Sequence, residues 1–456
     1  MKWRNSIIYL IVLLLLGGYY YYFEVVRKEQ KQAAERESKR VFHFAAADVE
    51  ALQIESKDKK RVRLNKNGGW KITEPISCDV DQASLEGLLN TLAALQRERS
   101  ITDKSKELKS FGLASPALRM RIQQRDQSLE LLLGDKNPTG EAYYAMVIGQ
   151  DDVFTVSEGI WGVLNKGLDE LRRRELFTFE PREINSMRVK WENEPEVFVQ
   201  RNEQGKWSSP DHPKVDIKDI KVGNVLDQLR WLRAQKFIEN QAATSTENRL
   251  DTPQVTVNLQ LQKDRSAQLT LGKKTDDGKE VPAVSSEISG IVLVSADILR
   301  ELPKSIRSLQ DRSIISLKTG DITAVKWKLD DQEGHVARLE ENKWGWAATD
   351  EGQPKELNES WQVSSLLYDL VEAEYVEEVN PPASVPSWPY GRVDFYGGDN
   401  KLASIIWNKP LKEDSKSASI WVEQGEESAV RLVDVEAELM QRTQEDLKKL
   451  SLSNAP

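Results

Sequence analysis

The chain of 456 residues repeats one pattern three times, with a tryptophan at the same place in each copy. Trp70, Trp207 and Trp344 each follow a short polar turn, and successive members of the set lie 137 residues apart. An alternating apolar strand precedes each tryptophan. An apolar helical stripe begins 15 residues after it in the first two copies and 19 residues after it in the third. Because a register shared over so many positions does not arise by chance, the sequence predicts three homologous domains.

The repeat sets the predicted boundaries, and each copy is long enough to bury a core of its own. We expect a short N-terminal tail at 1–5, a transmembrane anchor at 6–23, a charged helical stalk at 24–40, repeat domains at 41–177, 178–315 and 316–450, and a C-terminal tail at 451–456.

The order of elements within one copy predicts the fold class. In the first copy, two strands precede Trp70, a helical stripe covers 85–95, four more strands follow, and a short helix closes the copy. Strands that mostly follow strands favour antiparallel sheets with packed helices, an α+β class, over a parallel doubly wound sheet. The joints at 172–177 and 311–315 contain no Gly/Ser or Pro linker, so we expect the copies to pack against each other.

Residues 6–23 contain no charged side chain and would extend about 27 Å as a helix, close to the thickness of a bilayer core. Trp3 and the run Tyr19–Tyr22 would lie at the two interfaces. The alternative is a cleaved signal peptide, but no small-residue cleavage site follows the apolar stretch. The segment is therefore predicted to be a single uncleaved signal anchor in the inner, cytoplasmic membrane.

The charges that flank this segment give conflicting signals about orientation. Lys2 and Arg4 favour a cytoplasmic N-terminus, whereas six Lys or Arg residues between 27 and 40 favour the opposite arrangement. Long domains cross the membrane largely regardless of charge, and the second cluster is preceded or interrupted by Glu24, Glu29, Glu35 and Glu37. We expect a cytoplasmic N-terminus and a periplasmic location for the bulk of the chain.

Charge and cysteine content exclude several function classes. The net charge is −9, and residues 317–456 alone carry 15 basic and 27 acidic side chains, a net of −12. An acidic chain without a basic stripe argues against nucleic acid as a partner. Cys78 is the only cysteine, so the chain forms no internal disulfide and no cysteine-based metal site.

The sequence contains no recognisable catalytic motif. His43, His212 and His335 do not follow the repeat spacing, and none has a second ligand at metal-binding distance in the sequence. Phosphate-loop, nucleophile-elbow, dinucleotide and calcium-loop patterns are also missing from the sequence. We predict no catalytic residue, no metal, no cofactor and no enzymatic activity.

Two features of the third copy mark candidate partner-binding residues. Glu374, Glu377 and Glu378 cluster after its helix, either as a solvated face or as a docking patch for a basic partner. Trp346 and Trp388 are tryptophans that the repeat does not require. Such rings stack on sugars or anchor protein interfaces, with local packing as the alternative.

Several motifs together resemble the bacterial domain of unknown function 4340 family. They are the N-terminal span, the Gly-Trp turn, the Phe-Gly-Leu-x-x-Pro element at 111–116, the Leu-Gly-Asp turn at 133–135 and the Tyr-Tyr-Ala segment at 143–145. The resemblance is weakest in the third copy, where Trp407 and Asn408 replace the Leu-Gly turn. It implies a membrane-anchored envelope protein, encoded beside an ABC-type exporter and a gliding-motility-type auxiliary subunit, and it supplies no catalytic residues.

These observations lead to one expected function and one alternative. We expect a non-catalytic, membrane-anchored, extracytoplasmic accessory or scaffold subunit of an ABC-type transport complex, with the permease and the auxiliary subunit as partners. The alternative is a cell-envelope module that binds polysaccharide through Trp346 and Trp388. A third hypothesis is an enzyme that uses a pair of carboxylates, and nothing in the sequence favours it.

Overall fold

The computed structural model describes Trp3, Glu35 and residues 37–454, except 60, 102–107, 126, 239–249, 348–353, 380–383, 388, 410–415 and 426–428. The predicted anchor at 6–23 and most of the stalk at 24–40 lie outside the described residues. Within the described part, no helix is both long and apolar enough to cross a membrane. At the end of the stalk, Glu35 and Glu37 are helical, and Glu35 pairs with Lys39 at 2.7 Å.

The first copy forms a nine-stranded antiparallel sheet. Its elements are β1 (Ala51–Ser56), β2 (Val62–Lys66), β3 (Trp70–Glu74), β4 (Cys78–Asp79), α1 (Gln82–Ala93), β5 (Arg99–Ile101), β6 (Leu118–Gln124), β7 (Gln127–Lys136), β8 (Ala142–Val147), β9 (Val153–Ser157), α2 (Trp161–Leu164) and α3 (Leu168–Leu171). The strand order is β4-β3-β2-β1-β6-β7-β8-β9-β5.

The second copy repeats this topology with eight strands. Its elements are β10 (Ile184–Trp191), β11 (Val197–Arg201), β12 (Trp207–Ser208), α4 (Asp219–Arg230), β13 (Lys236–Ile238), β14 (Val255–Leu261), β15 (Ser266–Leu271), β16 (Glu280–Ser285), β17 (Ile288–Ser295) and α5 (Ile298–Glu301). The order is β12-β11-β10-β14-β15-β16-β17-β13.

The third copy has nine strands and a long closing helix. Its elements are β18 (Ala324–Leu329), β19 (Gln332–Glu340), β20 (Lys343–Trp346), β21 (Lys355–Glu356), α6 (Ser360–Glu372), β22 (Glu377–Val379), β23 (Gly391–Gly397), β24 (Asn400–Trp407), β25 (Ser417–Gln424), β26 (Ala429–Glu436) and α7 (Ala437–Asn454). The order is β21-β20-β19-β18-β23-β24-β25-β26-β22.

These three sheets confirm the predicted antiparallel α+β class and the threefold repeat. The predicted number of strands per copy was too low, because three short strands were missed in the first and third copies and two in the second; one of the three is the two-residue edge strand, β4 or β21. The turn tryptophan lies in a strand, at or next to its start, and a three-residue strand follows the main helix to close the far edge of the sheet. Three residues are too few to show the alternation by which a strand is recognised in a sequence.

The apolar stripe of each main helix is buried against its sheet. Every predicted stripe residue has at most 6% of its surface exposed: Leu85, Leu88, Leu89 and Leu92 in α1, Val222, Val225, Leu226 and Leu229 in α4, and Val363, Leu366, Leu367 and Leu370 in α6. The 3.6-residue period of the helix places these side chains on one face. In the first and third copies they share one hydrophobic cluster with the central strands.

Across the hairpin from each turn tryptophan stands a cation. The paired residues are Lys66 and Trp70, Arg201 and Trp207, and Arg338 and Trp344. In the second and third copies the guanidinium carbon lies 4.6 Å from the centre of the indole ring, which is within cation–π range. Each arginine also donates a hydrogen bond to a backbone carbonyl at the start of its copy, so the cation ties the hairpin to the entering chain.

The third copy replaces two pairs of medium-sized core residues by tryptophan opposite glycine. Trp327 faces Gly334, and Trp407 faces Gly391. A Cβ atom placed on either glycine would lie 2.1 Å from the facing indole, so no larger residue fits. The equivalent pairs are Ile54 with Val62 and Leu118 with Leu133 in the first copy, and Val189 with Val197 and Val255 with Leu271 in the second. The exchange keeps the core filled by compensating one volume change with the other.

The segment that leads into each copy is bonded to the chain just after that copy's main helix. The entering amides donate hydrogen bonds of 2.8–3.0 Å, from Val41 to the Leu95 carbonyl, from Leu176 to Leu232 and from Ile314 to Ala373. Isolated β-bridges flank these bonds at Arg40 with Gln96, Glu175 with Arg233, and Ser313 with Glu374. All three copies therefore begin with the same backbone hydrogen bond and flanking β-bridge.

The chain that leaves a copy is bonded as well. Arg172, at the end of the first copy, bridges to Val80 of that copy, and Gln310 bridges in the same way to Ile217. By its contacts the chain divides into two compact units, one of residues 1–211 and 220–308 and the other of residues 212–219 and 309–456. Each of the two joints between copies is thus a segment with backbone bonds on both sides, and Ile217 belongs to the same unit as the joint that it contacts.

Replacing a buried turn tryptophan should destabilise its copy strongly. Trp344 has 0% of its surface exposed; its backbone amide donates to the Ser360 hydroxyl at the start of α6, and its carbonyl accepts from the amide of Leu357, three residues before the helix. We expect Trp344→Ala to lower the free energy of unfolding by about 3–5 kcal/mol. The measurement is urea unfolding of the purified chain followed by circular dichroism.

The matched control is Trp361→Ala in the same copy. Trp361 is 65% exposed on α6, so its loss should change the free energy of unfolding by no more than about 0.5 kcal/mol. Equal effects of the two substitutions would contradict the assignment of Trp344 to the core.

Candidate functional site

One cavity of about 180 Å³ lies where the first copy meets the second, within a single compact unit. Its charged lining consists of Lys71, Asp79, Arg172, Arg173 and Glu287. Asp79 lies on β4, the two arginines lie on the joint between the first and second copies, and Glu287 lies on the turn between β16 and β17. A cavity of this size with both charge signs is large enough for a few waters or a small polar ligand.

The two arginines of this cavity are held by the protein itself. The Arg172 side chain is 7% exposed, its guanidinium stacks 3.2 Å from the centre of the Phe237 ring, and it is hydrogen bonded to Asp169. Arg173 pairs with Asp79 at 3.3 Å and with Glu287 at 3.6 Å. Arg172 thereby joins a residue of the first copy to an aromatic ring of the second, and Arg173 joins carboxylates of both copies. The charged side chains that line the cavity therefore hold the first and second copies together.

Cys78 lines the same cavity and is half-buried. Burial raises the pKa of its thiol; the positive charge of Arg172 opposes this shift, and the negative charge of Asp79 adds to it. A thiol with a raised pKa is largely protonated near neutral pH and is a weak nucleophile. The surroundings of Cys78 thus favour a packing role over a reactive one.

The raised pKa of Cys78 predicts a pH dependence that can be measured directly, because the chain has no other cysteine. The rate of alkylation by iodoacetamide should reach half its maximum at a higher pH in the folded chain than in the same chain unfolded in urea. The unfolded chain releases the thiol proton first, so the free energy of unfolding should fall as pH rises between the two pKa values. A common midpoint for both states would contradict this assignment.

A second cavity, a groove of about 380 Å³, lies between α6 and α7 of the third copy. Asp369 and Glu372 on α6 and Glu436 at the end of β26 supply carboxylates, and Arg442 on α7 supplies a cation. Tyr368 forms part of the wall and is 63% exposed. The groove is therefore open, acidic on balance and aromatic on one side.

Some charged side chains of this groove are paired within the protein, and others are not. Arg312 pairs with Glu374 at 2.7 Å and donates to the Tyr375 carbonyl at 3.1 Å, and Arg442 lies 3.9 Å from Asp369. Among the residues that the structure describes, no hydrogen bond or ion pair engages the side chain of Glu372 or Glu436. These two carboxylates are the ones available to a ligand.

The candidate residues from the sequence fall in different places. Glu374 lines the groove but is committed to Arg312. Glu377 and Glu378 lie on the edge strand β22, paired with β26. Trp346 is half-buried and packs edge-on against Trp327, with ring centres 5.6 Å apart. Trp388 lies outside the described residues.

Sequence reasoning missed two features that the structure brings out. Trp361 and Tyr368 are exposed on the outer face of α6, and Arg172 lines a cavity beside Cys78. The exposure of Trp361 and Tyr368 could have been predicted from the sequence, because both residues lie outside the apolar stripe of α6. Comparing the outer faces of the three repeated helices would have found it.

Among the described residues, no three His, Cys, Asp or Glu side chains form a group that could hold a metal ion.

The chain matches the sequence model of one protein family, described as "Domain of unknown function (DUF4340)". The matched regions are residues 70–253 and 239–387, which together cover well over half of the 456 residues. No curated protein and no solved structure matches the chain.

Proposed function

The chain belongs to the DUF4340 family, as its motifs predicted, and from this premise we propose that it is a membrane-anchored accessory subunit of an ABC-type transport complex. In this role the three copies form an extracytoplasmic scaffold that binds the permease, its auxiliary subunit or their cargo. The scaffold performs no catalysis of its own.

One observation carries the proposal, namely the bonded joint at the start of every copy. The entering backbone is hydrogen bonded to the segment after the main helix in the same way three times. The first of these joints includes Lys39 and Arg40, so the described end of the stalk, residues 37–40, is bonded directly to the first copy. These bonds fix each entering segment to its own copy, which is a property that a scaffold requires.

The cavities support the same role. Arg172, Arg173 and Arg312 are each engaged by carboxylates of the protein, and they fasten segments together. The membrane location and the transporter partner are supported by the apolar segment at 6–23 and by the family resemblance.

The proposed partnership is tested by affinity purification of the tagged full chain from native membranes in mild detergent. We expect a permease and an ATP-binding subunit to copurify. A control chain keeps residues 1–40 and replaces the rest by an unrelated extracytoplasmic domain, and it should lose these partners. If the full chain brings down no membrane protein, the accessory role is wrong.

The proposed topology is tested with reporters fused after Pro456. A reporter that is active only in an oxidising, extracytoplasmic space should work at this junction, and a reporter that needs the cytoplasm should be silent. The opposite result would favour the arrangement that the cations between 27 and 40 suggest. A Lys2→Glu and Arg4→Glu variant should make the orientation mixed if these two charges help to set it.

Polysaccharide binding stays a separate prediction. It requires that the chain bind cell-wall or surface glycan and that Trp388→Ala abolish the binding. No contact of the described residues favours this function over the scaffold role, because Trp346 already packs against Trp327.

A further inference from the structure

The outer face of α6 carries two aromatic rings that do not pack into the core of the third copy. Trp361 is 65% exposed and Tyr368 is 63% exposed. They are seven residues apart, which puts them on the same face of the helix, about 10 Å from each other along its axis. The opposite face, with Leu366 and Leu367, is the one that packs on the sheet.

The other two copies provide an internal comparison. The positions equivalent to Trp361 and Tyr368 are occupied by Ala83 and Asn90 in α1, and by Ile220 and Asp227 in α4. All three helices bury the same apolar stripe against the same kind of sheet. Packing therefore does not require aromatic rings at these positions, and their presence in the third copy has another cause.

The aromatic face leads directly into the acidic groove between α6 and α7. Tyr368 belongs to both, and Glu372 follows it by one helical turn, about 6 Å further along the axis. Val376 and Leu439 add apolar lining to the groove. The exposed rings and the uncommitted carboxylates of Glu372 and Glu436 thus form one continuous surface, which we call the α6 face.

We propose that the α6 face is a docking site for a cationic amphipathic helix of a partner protein. The apolar side of that helix covers Trp361 and Tyr368, and one of its Lys or Arg side chains enters the groove between Glu372 and Glu436. Charge complementarity selects this occupant, because the groove holds four carboxylates against the two arginines Arg312 and Arg442, and the segment 317–456, which contains all four carboxylates, has a net charge of −12. The inference rests on the scaffold function and specifies its partner surface.

The spacing on α6 predicts a sequence pattern in the partner. A helix that lies parallel to α6 meets the two rings with apolar residues at positions i and i+7, and it meets Glu372 with a cation at i+11; in an antiparallel helix the cation is at i and the apolar residues are at i+4 and i+11. The cation would be buried against two carboxylates and beside a tyrosine ring, where its charge is balanced. The partner is recognised by this chemistry, which an acidic or uniformly polar segment lacks.

Photo-crosslinking of the full chain in native cells tests the proposal. The photoreactive residue p-benzoylphenylalanine replaces Trp361 or Tyr368 in one set of variants, and it replaces Ala83 or Asn90 on α1 in the matched control set. Both sets are exposed helix positions, so the substitutions leave the fold intact. We expect adducts from the first set and none from the second, with mass spectrometry placing the crosslink in a partner segment that carries the apolar pattern and its cation.

Charge reversal provides the second arm. The variant Glu372→Lys with Glu436→Lys should reduce the adduct from position 368 by about tenfold or more, because it sets like charges against the partner cation. The control variant Asp331→Lys with Glu445→Lys makes the same change in net charge at exposed positions outside the groove, and it should leave the adduct yield unchanged.

Every other outcome overturns the inference. Equal adducts from α1, an adduct with a second copy of this chain, a crosslink to a segment without cations, or no adduct would each exclude the proposed occupant. The scaffold function is judged separately by copurification. If the permease copurifies while position 361 gives no adduct, the docking site is wrong and the function stands. If position 361 captures a cationic helix of a protein outside any transport complex, the docking site stands and the function is wrong.

Discussion

The backbone hydrogen bonds at the joints are the interaction on which the rest of the structure depends. An edge strand or an isolated extended segment exposes unpaired amides and carbonyls, which cost free energy when they are shielded from water. Here the entering segment satisfies part of its backbone on the chain after the main helix, as Leu176 does with Leu232. The segment that leaves a copy does the same, as Arg172 does with Val80. In the first and second copies the main helix is therefore fixed at both ends. In the third copy, Arg312 of the third joint is tied to Glu374, which fixes one wall of the groove beside α6.

Much of the fold could be predicted from the sequence because repetition supplied three independent readings of each element. The buried stripe of α1 could be recognised alone, and the same stripe in α4 and α6 confirmed it. The short strands could not be predicted in this way. β5, β13 and β22 are formed by three residues each, and their pairing with a strand distant in the sequence decides their structure. Local patterns do not contain that information.

The candidate sites were less predictable for a different reason. The sequence showed that glutamates cluster after α6, but it could not show which of them have partners. Glu374 is neutralised by an arginine 62 residues away in the chain, whereas Glu372 has no such partner among the described residues. Trp346 was unusual in the sequence, yet its ring is packed against Trp327. The sequence did not single out Trp361 as a candidate, although its ring is exposed in the structure. Pairing and exposure are properties of the folded chain, and they decide which residues can meet a partner.

The pairing of tryptophan with glycine in the third core has a consequence for how three similar copies fold in one chain. Tandem homologous domains are prone to exchange equivalent strands while they fold. A strand of the first copy that paired with β18 would place Val62 where Gly334 belongs, and its side chain would collide with Trp327. The reverse exchange would leave an empty space beside Ile54. The third copy therefore rejects strands from its neighbours by shape alone, so its unusual core also protects the chain against misassembly.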